Sequence, residues 1–295
     1  MHRRKLQELN LLDDFLFNKV VSHPEFGEKF SRELLRIILG KQVGKLKVVP
    51  QKVYYGSDTE YHGARLDVYL EEALDGEGFL EDATIYDIEP EQSDKREKLS
   101  NIPKRVRFYH SKIDAGALKS GEDYRCLKNV IVIMIMSTDP FGYNHMIYTI
   151  ENYCKELPEM LYDDGAKTLF LYTKGTEGNP AKELKDFLCY MEKSCEENAQ
   201  SDTLKEIHQM VNAVKRDEEV SIEYMKIFER EQMIREEARE EGREEGRKQG
   251  RQQEKANTER ERLRADAEKK RADTAEMEIK RLIQKIEQLK SQELL

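Results

Sequence analysis

Apolar residues at Phe26, Phe30, Leu34, Ile37 and Ile38 recur at helical spacing. The pattern predicts helices over Leu11–Ser22 and Pro24–Leu39, with Pro24 suited to a first turn and Gly40 to a helix stop. Two short strands fit Lys45–Tyr55. The period then changes to two. Leu66, Val68 and Leu70 alternate with Arg65, Asp67 and Tyr69, and Ile85 to Glu91 alternates again after the turn-rich "DGEG" of Asp75–Gly78. This is a hairpin signal. Asp67 and Glu89 lie equally far from Gly78, so a hairpin centred there makes the two carboxylates cross-strand neighbours.

A helix follows over Ile102–Leu118, with Asn101 as its cap and Pro103 in its first turn. Val106, Tyr109, His110, Ile113 and Ala117 share one face and read as packing. Lys104, Arg107 and Ser111 lie opposite, flanked by Arg105 and Lys112. The helix is therefore apolar inward and basic outward. "VIVIMIM", Val130–Met136, has the character of a strand buried on both faces, the centre of a strand over Val130–Ser137. "DPFG", Asp139–Gly142, marks a turn; Met146–Ile150 and Thr168–Tyr172 read as strands; Ala181–Cys195 and Thr203–Lys215 read as helices. Helices and strands in this order predict an α/β sandwich.

Composition changes near residue 229, after which Glu, Arg, Lys, Gln and Ala dominate. The expected organisation is an α/β domain over 1–175, a helical extension over 176–228 and a charged Gly/Glu/Arg-rich helical tail over 229–295. In the tail, Ala238, Gly242, Gly246 and Gly250 recur every four residues. Close approach of two helices and a frayed, solvated linker both fit that repeat. Ala265, Ala272, Ile279 and Ile286 fall at heptad position a, with Ala275, Leu282 and Leu289 at d. A homo-oligomer seam over 265–290 and a lone surface helix are both compatible with this pattern.

The longest apolar run is too short to span a bilayer, and the N-terminus carries no signal-peptide stretch. Four cysteines without CxxC or zinc spacing fit reduced thiols, so a cytoplasmic location without membrane contact is expected. The net charge of −9 argues against nucleic acid as a partner, but the window Lys95–Lys112 holds seven Lys/Arg against one Glu. Where charge sits matters more than its total.

The candidate chemistry lies in "TIYDIEPEQ", Thr84–Gln92. Asp87, Glu89 and Glu91 fall on one side of a strand, with Tyr86 and Ile88 on the other. With Asp67 alongside, Asp67, Glu89 and Glu91 can hold a hard cation such as Mg²⁺ beside a basic helix, an arrangement that suits phosphodiesters. Lys104, Arg105, Arg107 and Lys112 are the candidate DNA-binding cations; Phe108 fits an ordinary partly buried aromatic or, less simply, a ring that stacks on a base. The alternative is a hairpin edge whose acids simply face water.

The order "RLDVYLEE", "YDIEPE", "IPKRVRFYHSKID" and "DPFG" resembles the Rpn family of recombination-promoting nucleases and transposases, a branch of the PD-(D/E)xK nuclease superfamily. The resemblance runs from Leu11 to Tyr172, and the Gly/Glu/Arg tail is similar to tails in that family. It implies a restriction-endonuclease-like PD-(D/E)xK core, a mixed sheet flanked by helices, and Mg²⁺-dependent DNA endonuclease activity. Asp67 matches the first acid of the motif and Glu89 the acid of the (D/E)xK element. Glu91 stands where that element has Lys, or Gln in many Rpn-like members, and so lacks the positive charge beside the attacking water. Glu91 as a third metal ligand or water-positioning group, or a catalytic Lys104 or Arg105 from the following helix, would fill that role. Asp14 matches the acid many members carry on the first helix; a helix N-terminal acid favoured by the dipole is the other reading. The resemblance also leaves room for a catalytically degenerate nuclease fold that binds DNA or protein and oligomerises through its tail.

Overall fold

A computed structural model describes residues 4–55, 63–72, 83–92 and 96–292. The chain divides into two compact units, Met1–Met225 and Lys226–Leu295. In the first, α1 (Asp14–Val21) and α2 (Gly27–Leu39) precede β1 (Leu46–Pro50), β2 (Val53–Tyr54), β3 (Ala64–Arg65), β4 (Val68–Glu72) and β5 (Thr84–Glu91). After these come α3 (Arg96–Ala117), β6 (Asn129–Met136), β7 (Ile147–Ile150), β8 (Ala166–Tyr172), α4 (Lys182–Glu192) and α5 (Asp202–Arg216). The last helix, α6 (Glu218–Gln292), starts in the first unit and forms the second. Among the described residues no helix is long and apolar enough to cross a membrane.

Six strands form one mixed sheet in the order β1-β4-β5-β6-β8-β7; β2 and β3 pair separately. β5, β6 and β8 run parallel, and β1, β4 and β7 run antiparallel to their neighbours. Adjacent parallel strands need a crossover, and α3 supplies it between β5 and β6. The strand patterns separate two cores. Val68, Leu70, Tyr86, Ile88, Ile133 and Ile135 pack toward the side of α1, α2, α4 and α5. Tyr69, Ile85, Val132, Met134, Met136 and Phe170 pack with Ile102, Val106 and Ile113 of α3. The predicted run at 130–136 is apolar throughout because both its faces are covered.

Several boundaries differ from expectation. α1 begins at Asp14 rather than Leu11, because the Asp13 side chain caps it by accepting from Phe15 N–H at 3.2 Å. α2 begins at Gly27, leaving Pro24 in the preceding turn, and ends as expected at Gly40, which has φ +67°. α3 already begins by Arg96, so Asn101 is an exposed helical residue rather than a cap and Pro103 lies inside the helix. Leu99 is buried along with Ile102 and Val106, so the apolar stripe extends upstream of the proline. Pro103 itself is exposed, where a freed carbonyl can meet water. The alternation also breaks at Asp67. Leu66 joins the α3-side core whereas Val68 and Leu70 join the other, and Asp67 occupies the bend between β3 and β4.

In the second unit, α6 leaves Leu263, Ile279, Leu282 and Ile286 exposed. A Cβ built at Gly242, Gly246 or Gly250 meets nothing within 4 Å. The predicted seam thus has no partner among this chain's described residues. The Asp75–Gly78 turn and Lys95 fall outside the described residues, as does the side chain of Leu289.

Candidate functional site

β4 and β5 pair with Val68 opposite Ile88 and Leu70 opposite Tyr86, a register centred on residue 78. Extended by one residue, it sets Asp67 opposite Glu89, as the hairpin pattern predicts. The pairing is closed by a side chain: Asp67 N–H donates to Glu89 Oε1 at 2.8 Å. Glu89 and Glu91 lie at the carboxyl end of β5, which in open α/β sheets is the end where ligands bind. The α3 crossover returns over this end, and Arg105 Nη2 donates to Glu91 Oε2 at 2.8 Å.

These side chains form a graded acidic hollow. Asp87 is fully buried at 0% exposure and Glu89 is buried at 4%. Asp67 and Glu91 are half-buried, and Asp14 is exposed. Burial, followed by Asp87 and Asp67, pushes Glu89 up to about 10, opposed by the Asp67 N–H bond and by Arg105. Burial and the Asp67 charge hold Asp87 well above the ordinary carboxylate range. Neither Asp87 oxygen has a hydrogen-bond partner of ordinary geometry, although the Glu89 carboxyl lies near enough to temper the shift. Burial also raises Asp67, with Glu91 adding to the shift and Arg65 and Arg105 opposing it.

Asp14 joins this group. Loss of water, then Asp67, Asp13 and Glu91, push it up to about 7, with Arg105 opposing. Because Asp14 as a residue stays exposed, the close carboxylates are the firmer cause. The helix dipole, which would favour a charged acid at this position, is outweighed.

Of the two cations expected to reach the acids, Arg105 does so, while Lys104 stands exposed on the outer face of α3 beside Arg107. Arg105 Nε is buried and has no hydrogen-bond partner. The Lys112 ammonium lies 5.4 Å from the half-buried Phe108 ring. Tyr109 packs as predicted but also borders the site, since burial and then the charges of Glu89, Asp87 and Asp67 disfavour its ionisation. His110 is turned to β8, with Nε2 3.0 Å from Thr168 Oγ1.

Sequence reasoning placed Asp87 beside Glu89 but not among the site residues; its position two residues before Glu89 was the available signal. Among the described residues, no three acidic, histidine or cysteine side chains stand in the spacing of a ready metal cage. The donor chemistry nonetheless suits a hard cation: several carboxylates converge, two buried oxygens lack partners, and the neighbouring guanidinium is already engaged with Glu91. Compared with known proteins, the chain matches no family model, no curated protein and no solved structure.

Proposed function

We propose that the first unit is a Mg²⁺-dependent DNA endonuclease of the recombination-promoting nuclease type, with a PD-(D/E)xK core. One observation carries this reading. Asp87 has buried oxygens and Arg105 a buried Nε without a hydrogen-bond partner of ordinary geometry, and the Arg105 charge acts on Asp87. A site unsatisfied in both signs suits a cation and an anion bound together, as a metal ion and a phosphodiester would be.

Asp67 and Glu89 would hold the metal, which when bound neutralises the scissile phosphate and activates water. Arg105 offers its free Nε–H to a non-bridging phosphate oxygen while its Nη2 keeps Glu91 in place. Glu91, half-buried at the end of β5, orients the attacking water. Asp14 can take up or release a proton near neutral pH. Lys104 and Arg107 hold flanking phosphates from the outer face of α3.

The Arg105–Glu91 ion pair favours a second reading. If it locks both side chains, the fold is a degenerate nuclease that binds DNA or protein and oligomerises through residues 265–290. Plasmid nicking with Mg²⁺, with EDTA and with Asp67→Ala decides between them. Metal-dependent nicking lost in the variant supports the endonuclease; DNA binding without nicking supports the degenerate module.

A further inference from the structure

α3 separates two features of the first unit. Asp87, Glu89 and Glu91 share the face of Ile85, which packs toward α3. Arg105 reaches this acidic face from one side of the helix. On the other side, between α3 and β7, runs a cleft of about 330 Å³, at the small end of the range for ligand sites. Val106, His110, Phe141, Ile150 and Phe170 line it. The Phe141 and Phe170 rings meet edge to face with centroids 5.0 Å apart, and Ile150 is 49% exposed.

Acids and cleft are level with each other. Glu89 stands in register with Met134, and Met134 with Phe170. β5 and β8 flank β6, so at ordinary strand spacing Phe170 lies about 10 Å across the sheet from Glu89. Lys104 and Arg107 are exposed on the outer face of the helix between them. Arg107 also borders the cleft, and among the described residues its guanidinium has neither an ion pair nor a hydrogen bond. Glu151, an acid at the same cleft, is already paired with Lys167 at 2.6 Å. His110 Nε2 meets Thr168 Oγ1 at 3.0 Å, while its Nδ1 is buried without a partner. The cleft thus combines apolar and aromatic walls, unspent hydrogen-bonding capacity and an unanswered positive charge. Those features complement a flat heteroaromatic ring that carries a phosphate.

We propose that this cleft receives the base of an unpaired nucleotide in a DNA strand, with Arg107 on its phosphate. The path of the strand rests on the nuclease reading: its scissile phosphate lies at the acids, its backbone crosses Lys104 and Arg107, and a neighbouring base enters beyond α3. A base inside a duplex is paired and stacked, so it cannot enter a cleft of this kind. The substrate class follows. Where it crosses α3, the strand is single, frayed or mismatched, because unstacking such a base costs least.

Binding in EDTA tests the proposal on the full chain without cleavage. Fluorescence anisotropy compares a labelled thymidylate oligonucleotide with an abasic strand of equal length, which keeps the phosphates and lacks the bases. Wild type should prefer the thymidylate strand by about tenfold, within the worth of one stacked base. Ile150→Glu, which sets a carboxylate in the exposed part of the wall, should bind both strands alike. Its hold on the abasic strand reports that the variant is folded. No preference in wild type would overturn the subsite, as would a preference that survives Ile150→Glu. Thymidine monophosphate separates a strand from a free nucleotide as the source of the base. It should displace the oligonucleotide only at far higher concentration; displacement at equal concentration would make this a free-nucleotide site and overturn the strand reading. Because no metal is present, this titration can succeed where nicking fails and fail where nicking succeeds.

Discussion

Glu89 holds a carboxyl where ionisation is costly and where a ligand would make it worthwhile. Its pKa rises from 4.5 to about 10 on folding. The folded chain therefore keeps a proton there that the unfolded chain gives up, and stability present below pH 4.5 is lost progressively as pH rises toward 10. Glu89→Gln removes that dependence. Without metal at pH 8 the variant should melt several degrees above wild type, at about 2–4 °C per kcal/mol for a body of this size, with the gap closing toward pH 5. A melting difference independent of pH would contradict the assignment. Activity should move the other way. Asp67→Ala and Glu89→Ala should each lower plasmid nicking by about 100-fold or more while circular dichroism stays unchanged. At this scale Glu89 and Glu91 were legible in the sequence because alternation ties position to face, and Asp67 because the hairpin centre sets it opposite Glu89 even though the alternation breaks there. Asp14 was nominated only through a family likeness and Arg105 first as one of several cations of its helix, and no local pattern ties either of them to β5.

α3 presents different chemistry on its two sides. Arg105 and Tyr109 face the acids, and Lys104 and Arg107 face solvent. Arg105→Ala would also break the ion pair with Glu91, so Lys104→Ala/Arg107→Ala is the cleaner test of the outer face. The double variant should bind DNA more weakly and flatten the slope of log K against log salt by about two units; an unchanged slope would remove this face from the DNA path. The start of α3 was misread because Asn101 and Pro103 together imitate a helix entrance, whereas burial of Leu99 carries the helix through them. In α6, a Cβ added at Gly246 meets nothing within 4 Å among the described residues, so Gly246→Ala should stabilise the helix by about 1 kcal/mol, read as increased ellipticity at 222 nm. A loss of helix would mean that the glycine serves a contact outside the chain.

For the whole molecule, every buried core residue among the described ones lies before Lys226. A chain ending at Met225 should thus unfold in one transition within a few degrees of the full protein by calorimetry, and a large fall would show that α6 contributes to the body. α4 and α5, which the sequence sets apart as an extension, bring Leu184, Phe187, Leu204 and Val211 into the same core as α1 and α2. The sequence by itself determined the helical and strand periods, the register centre at Gly78 and the chemical character of the tail, because these depend on residues near one another along the chain. Only the tertiary structure decided that Asp87 is sealed from water, that Asp14 joins Asp67 and Glu91, and that Arg105 rather than Lys104 meets them. Burial and electrostatic coupling depend on which layers close over a strand, and α3 and α1 reach this end of β5 from opposite sides of it in the chain.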